Sequence, residues 1–259
     1  MPVIEHRRIT APAQIGGDAL PFCDGRHWDV RDSIVDLSGW PLDQIDEAAG
    51  ITWGSSARFE NSVIRGAGKL MLCGCGDAEH VPEETGKRVE CIHCILEDAG
   101  RRLPEVQDGM RVVLHECLVR NWGEPARFNY DPAHPDRAFG AWAHAGGKID
   151  AVGCVFWQDR FARPWGQFWR DIAHHVGQAV NDAGLRALLN WRTYLPGVCR
   201  GLEATAGGTA NAWACWKNKW WITLGGSETE RMNKAQAYAL IAELEEMADR
   251  LESELPYAA

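Results

Sequence analysis

The chain has no apolar run approaching about 18 residues, so it offers no candidate transmembrane helix. No unbroken run of Lys or Arg exceeds two residues, and the formal net charge is −9 over 259 residues. Both facts argue against a nucleic-acid partner, which needs a basic face. The stretch MPVIEHRRITAPAQIGG lacks an apolar h-region, so synthesis in the cytoplasm without a secretory signal is expected. Nine cysteines, an odd count, fit free thiols better than a disulfide framework. Gly (27) and Trp (13) are abundant, in a composition that is globular and long enough to bury a sizeable core.

The segment TGKRVECIHCILEDAGRRLP (85–104) contains Cys91-x-x-Cys94. Three readings are open: a redox pair, half of a metal site with Cys73 and Cys75, or ordinary strand residues of a repeat. An internal repeat favours the third. WDVRDSIVD (28–36), ARFENSVIR (57–65), VECIHCILE (89–97), VVLHECLVR (112–120), IDAVGCVFW (149–157) and ANAWACWKN (210–218) align. Each has two apolar positions at period 2, a polar or small residue, then Ser or Cys, then a second apolar run. The Ser/Cys column is Ser33, Ser62, Cys94, Cys117, Cys154 and Cys215. A unit this small buries its apolar face only by stacking on copies of itself. The spacing predicts an all-β solenoid with the column as an internal ladder, Cys91 as an inward residue, and no zinc. No strand–helix–strand pattern surrounds the pair, which disfavours a thioredoxin-like role.

The expected organisation is an N-terminal cap (1–26), a parallel β-helix (27–226) with a helical insertion at about 160–200, and a C-terminal helix (227–259). The insertion is read from apolar residues at helical spacing over 165–189; its His174-His175 pair fits a surface or cap position better than a metal site. The C-terminal helix opens on a capping-box pattern, Ser227-x-x-Glu230, and carries one stripe: Ala237, Leu240, Leu244, Met247, Leu251. The stripe either packs on the solenoid wall or joins subunits in a bundle. The first is favoured.

Residues 69–120 resemble the pectate lyases of polysaccharide lyase family 1. GKLMLCGCGDAEH (68–80) is similar to a Lys-x-x-Leu-apolar-Gly-Ser-x-Asp segment of that family. KRVECIHCILEDAGRRLPEVQDGMRVVLHECLVRNW (87–122) is similar to its next two strands and the Arg-x-Pro-x-x-Arg turn between them. The Ser/Cys column falls where the family stacks asparagines. The resemblance implies a right-handed single-stranded parallel β-helix cleaving a uronate-containing glycan by β-elimination. It implies Arg102 as the base at C5 and Lys69 as the contact to the substrate carboxylate. It also implies calcium, for which Asp43, Asp46 and Glu47 are the nearby acidic residues. The sequence departs from the pattern at Gln107, where the family has a second arginine, and at Ala49 and Trp53, where it has calcium aspartates.

Ten of the thirteen tryptophans lie from Trp122 onward, and aromatic faces pack well against sugar rings. Trp122, Trp142 and Arg65 are therefore taken as substrate-binding candidates. The acidic loop DAEHVPEE (77–84) reads either as a solvated turn or as a calcium-bridged contact to a polyuronate. Three functions compete. One is a lyase or depolymerase acting on an acidic polysaccharide; another is a non-catalytic, glycan-binding β-helix of a phage virion, a tailspike or adhesin; the third is a catalytically inactive cytoplasmic solenoid. The expected absence of a signal and the reduced cysteines favour the virion setting, where a homo-oligomer, a trimer, is expected on a cell-surface glycan. Lys69 and Arg102 favour the enzyme.

Overall fold

The computed structural model of the chain describes residues 1–76, 79–122, 141–143, 147–157, 193–196, 210–213, 219–224, 234–255 and 257. The strands come in rounds of three. The first round is β1 (Val3–Glu5), β2 (Arg8–Ile9) and β3 (Leu20–Phe22). The second is β4 (His27–Arg31), β5 (Ile34–Asp36) and β6 (Glu47–Ile51). β7 (Ser56–Glu60), β8 (Val63–Arg65) and β9 (Lys69–Cys73) follow. Then come β10 (Arg88–Ile92), β11 (Ile95–Ala99) and β12 (Glu105–Val106). β13 (Arg111–His115), β14 (Leu118–Trp122) and β15 (Trp142–Ala143) precede β16 (Lys148–Val152) and β17 (Cys154–Trp157). From β1 to β14 each strand pairs in parallel with the strand three places on, giving three sheets that the chain visits in rotation. Sheet 1 runs β1 to β16, sheet 2 contains β2 to β17, and sheet 3 runs β3 to β15. The fold is mostly β, with three largely parallel sheets in a solenoid-like order.

The register explains the repeat. On sheet 1, Val30, Phe59, Cys91, Leu114 and Ala151 are consecutive partners, and all are buried. Cys91 is thus an inward core residue. At the corner to sheet 2, the amide of Leu118 donates to Cys94 and that of Val155 to Cys117, so the Ser/Cys ladder runs through neighbouring rounds. Every described ladder side chain donates to the carbonyl two residues before it: Ser33 to Arg31, Ser62 to Glu60, Cys94 to Ile92, Cys117 to His115, Cys154 to Val152. The residue before each ladder position has positive φ: Asp32 (44°), Asn61 (47°), His93 (54°), Glu116 (52°) and Gly153 (62°). That is the polar-or-small position of the repeat; short polar residues and glycine tolerate the left-handed region better than branched ones. Burial pushes the thiols of Cys73, Cys91, Cys94 and Cys154 upward, away from the reactive thiolate.

Because a hydroxyl already makes the same bond at Ser33 and Ser62, Cys117→Ser is expected to cost no more than about 1 kcal/mol. Cys117→Leu overfills the corner and should cost about 1–3 kcal/mol. Urea midpoints of the two variants check this; equal losses would contradict the ladder.

Sheet 2 is covered on both faces, which is why its strands read as continuous apolar runs. Its inner residues, such as Val35, Ile64, Leu96 and Val119, join the main core. Its outer row, Ile34, Val63, Ile95, Leu118 and Val155, forms a second cluster with Ala237, Leu240, Leu244, Met247 and Leu251 of helix α2 (Lys234–Glu254). The stripe at alternating spacing of 3 and 4 therefore packs on the wall. Glu252 pairs with Arg8 and Arg65, and Glu245 with Arg120 at 2.6 Å. The sequence continues into Pro256, which cannot extend a helix.

The sixth repeat behaves differently. β18 (Thr193–Pro196) continues sheet 2 in parallel, but β19 (Ala210–Trp213) and β20 (Lys219–Leu224) add to it antiparallel. The five residues between β19 and β20 suit an antiparallel neighbour and are too few for a parallel crossover. ANAWACWKN thus does not extend the parallel stack. Cys215, the 165–189 segment with His174-His175, and the capping-box residues Ser227 and Glu230 lie outside the described residues. Among the described residues no helix is long and apolar enough to cross a membrane.

Candidate functional site

Sheet 3 positions the polar cluster. Glu47 and Lys69 are the first residues of β6 and β9 and are register partners. Lys69 in turn bridges to Arg101. Arg102 follows with φ of 65°, and its carbonyl accepts from the amide of Met71 at 2.7 Å. These pairings bring Lys69 and Arg102, distant in sequence, onto one carboxylate. Arg102 pairs with Glu47 and, at 2.6 Å, with Glu105. Lys69 pairs with Asp46 and lies 3.5 Å from Glu47. Asp18, in the turn before β3, accepts from the Glu47 amide at 3.0 Å. A Cβ at Gly50 would lie 2.0 Å from the Asp18 carboxylate, so a larger residue there would displace the Asp18 side chain.

The electrostatics follow from this crowding. Burial pushes the Glu47 carboxyl up to about 7 against the pull of Arg102, and Asp18 adds to the rise. Burial, then the charges of Arg102 and Arg101, bring the Lys69 amine down to about 8. Both groups thus titrate near neutrality, which is where a proton-transfer site operates.

Of the three acidic residues nominated for calcium, Asp46 and Glu47 belong to this cluster, together with Asp18; their carboxylate oxygens lie within 4.8 Å of one another. Asp43 sits in an exposed turn of 3₁₀ helix (Leu42–Gln44), outside the group. Hard oxygen donors suit calcium. Here, however, the Lys69 ammonium and the Arg102 guanidinium already engage Asp46 and Glu47. The set fits protein-borne cations rather than a resident calcium ion.

Arg65 is on sheet 2, not with Lys69 and Arg102. It donates to Asp36 at 2.9 and 2.7 Å and pairs with Glu252 of α2, so it anchors the helix end. Trp122 pairs through its backbone with Ala99, and Trp142 with Glu105, which puts Trp142 on sheet 3 beside the strand that braces Arg102. Gln107 turns inward and donates to the carbonyl of Gly74 at 3.0 Å. In the acidic loop, Glu84 at the end of the short helix α1 (Val81–Glu84) is fully buried, accepting from the amides of Trp53 and Cys75. That part of the loop is a structural brace rather than a solvated turn.

Sequence reasoning missed Asp18 and Glu105. The repeat interval of 29 residues between Ser33 and Ser62 also relates Glu47 to Asp18, since Leu20 and Ala49 are partners at the same offset. Glu105 lies three residues after Arg102, in the turn itself. No protein-family model matches the chain, and neither curated proteins nor solved structures gave a match.

Proposed function

We propose that the chain is a right-handed parallel β-helix of pectate lyase-like type that holds a uronate-containing glycan on sheet 3 and cleaves it by β-elimination. The observation that carries this reading is the convergence of Lys69 and Arg102 on a single carboxylate, that of Glu47. Two cations spaced for one carboxylate suit the carboxylate of a uronate, whose neutralisation is what makes the C5 proton removable.

The geometry supports exchanging the two roles that the resemblance implies. Arg102, between Glu47 and Glu105, is a fixed positive charge, and guanidinium does not deprotonate in proteins. It is suited to hold the carboxylate. Lys69, with its amine at about 8, is suited to be the base. Its neutral amine takes the C5 proton, the electron pair forms the C4–C5 double bond, and the C4–O bond breaks. The leaving oxygen then takes a proton from the Lys69 ammonium or from water. The step uses no calcium.

A second reading, a non-catalytic glycan-binding β-helix carried on a phage virion, is favoured by one contact. Asp46 pairs with the Lys69 side chain, a contact suited to a binding residue rather than to a free base.

Retention on immobilised polygalacturonate tests what both readings share. The protein is expected to be retained at low salt and not on the fully methyl-esterified polymer, which lacks the carboxylates. Equal behaviour on both would overturn the carboxylate-directed site.

A further inference from the structure

Glu47 is buried where its partners are not. Its side chain is 3% exposed, against 28% for Lys69 and 17% for Arg102. Its carboxylate therefore reaches the two cations from inside, and they open outward. We propose that Glu47 is a built-in competitor for the uronate subsite: its carboxylate takes the place between Lys69 and Arg102 that a substrate carboxylate must occupy, so the site admits a polymer and rejects a single uronate. This rests on the reading of sheet 3 as a uronate site and adds what that site selects.

The selection follows from effective concentration. A carboxylate tethered beside its partners competes as though present at about millimolar concentration or more. One sugar acid in solution must displace it unaided. A polymer brings neighbouring units whose contacts persist while one carboxylate exchanges, so it overcomes the same competitor by multivalency.

The surroundings make Glu47 displaceable. The charged groups facing it are Asp46 beside it in the chain, Asp18 from the turn before β3, Lys69 from β9, Arg102 with its neighbour Arg101, and Glu105 from β12. Three other carboxylates crowd the two paired cations. Glu47 can thus take up a proton near neutrality and release Lys69 and Arg102 to an incoming anion. A purely structural Glu47 would neutralise buried cations and would influence stability alone.

Glu47→Gln separates the two. Titration calorimetry with galacturonic acid and with polygalacturonate at pH 8, beside thermal melts, is the measurement. The expected result is a gain in monomer affinity of roughly tenfold or more, with no larger gain for the polymer. A folded Glu47→Gln with unchanged monomer affinity overturns the inference. If it binds the polymer as wild type does, the uronate-site reading survives; if neither protein binds the polymer, both fall. Should Glu47→Gln fail to fold, Glu47→Asp serves instead: its shorter side chain withdraws the carboxylate from Lys69 and Arg102, so monomer affinity is expected to rise, and an unchanged affinity in the folded variant overturns the inference.

Discussion

Lys69→Met is expected to reduce formation of unsaturated uronate from polygalacturonate by about 10²–10³-fold or more, because it removes both a proton acceptor and a positive charge. Arg102→Ala is expected to do the same by a different route. It deletes the charge that stabilises the developing enolate and strips Glu47 and Glu105 of their shared partner. The two are distinguishable through pH. In wild type, the rising limb of the rate follows the Lys69 amine, with an inflection near its value of about 8. Arg101→Ala keeps both groups but removes a neighbouring cation that lowers Lys69, so its limb should move to higher pH while the plateau persists. Ultraviolet absorbance of the product, followed from pH 6 to pH 10, reads all three variants. A limb that does not move in Arg101→Ala would take the base away from Lys69.

Asp36→Ala is expected to cost about 3–5 kcal/mol, the loss typical when one partner of a buried ion pair is removed. Asp36 is buried and holds Arg65 through two hydrogen bonds; it also accepts from the Tyr257 hydroxyl at 2.6 Å and from the Ser38 amide. Its loss leaves Arg8 to Glu252, and Arg65 to Glu252 and Glu97, and weakens the anchor of α2 over the outer row of sheet 2. The same group sets an acid limit. Burial opposes ionisation, but the bonds from Arg65, Tyr257 and Ser38 prevail and hold the carboxyl well below its ordinary 3.8. A depressed folded-state value means that the stabilisation is present above the unfolded value and is lost as pH falls below it. Wild type should therefore lose stability below about pH 4 more steeply than Asp36→Asn does. Denaturant midpoints from pH 6 to pH 3 measure the difference; parallel curves would show that Asp36 is not the anchor.

The repeat was legible because a stacked fold writes one environment several times. Five polar-or-small residues precede five Ser/Cys residues, and the backbone takes the same left-handed turn at Asp32, Asn61, His93, Glu116 and Gly153. The docking of α2 was legible because Leu240, Leu244, Met247 and Leu251 make one stripe, and sheet 2 shows an unbroken apolar row to receive it. ANAWACWKN misled because local alternation fixes which residues face inward, not whether the neighbouring strand runs parallel; β20 decides that. The structure brings Lys69, Arg102, Asp46 and Glu47 together, and Asp18, which the sequence reading did not name, joins them. Its relation to Glu47 is a cross-round pairing, visible only when the repeat interval is applied to sheet 3 as well as to the ladder corner. Arg65, expected beside a substrate, sits with Asp36 and Glu252, because a conspicuous arginine reads alike whether it faces a ligand or a docked helix.

The most direct test of the central claim is the action of the unaltered protein on polygalacturonate in the presence of a calcium chelator. Ultraviolet absorbance is followed at pH 8.5, where the Lys69 amine is largely neutral. The account predicts a steady rise in absorbance that the chelator does not diminish and that methyl esterification of the polymer suppresses. A rise that occurs only when calcium is restored, or no rise and no retention of the polymer, would contradict it.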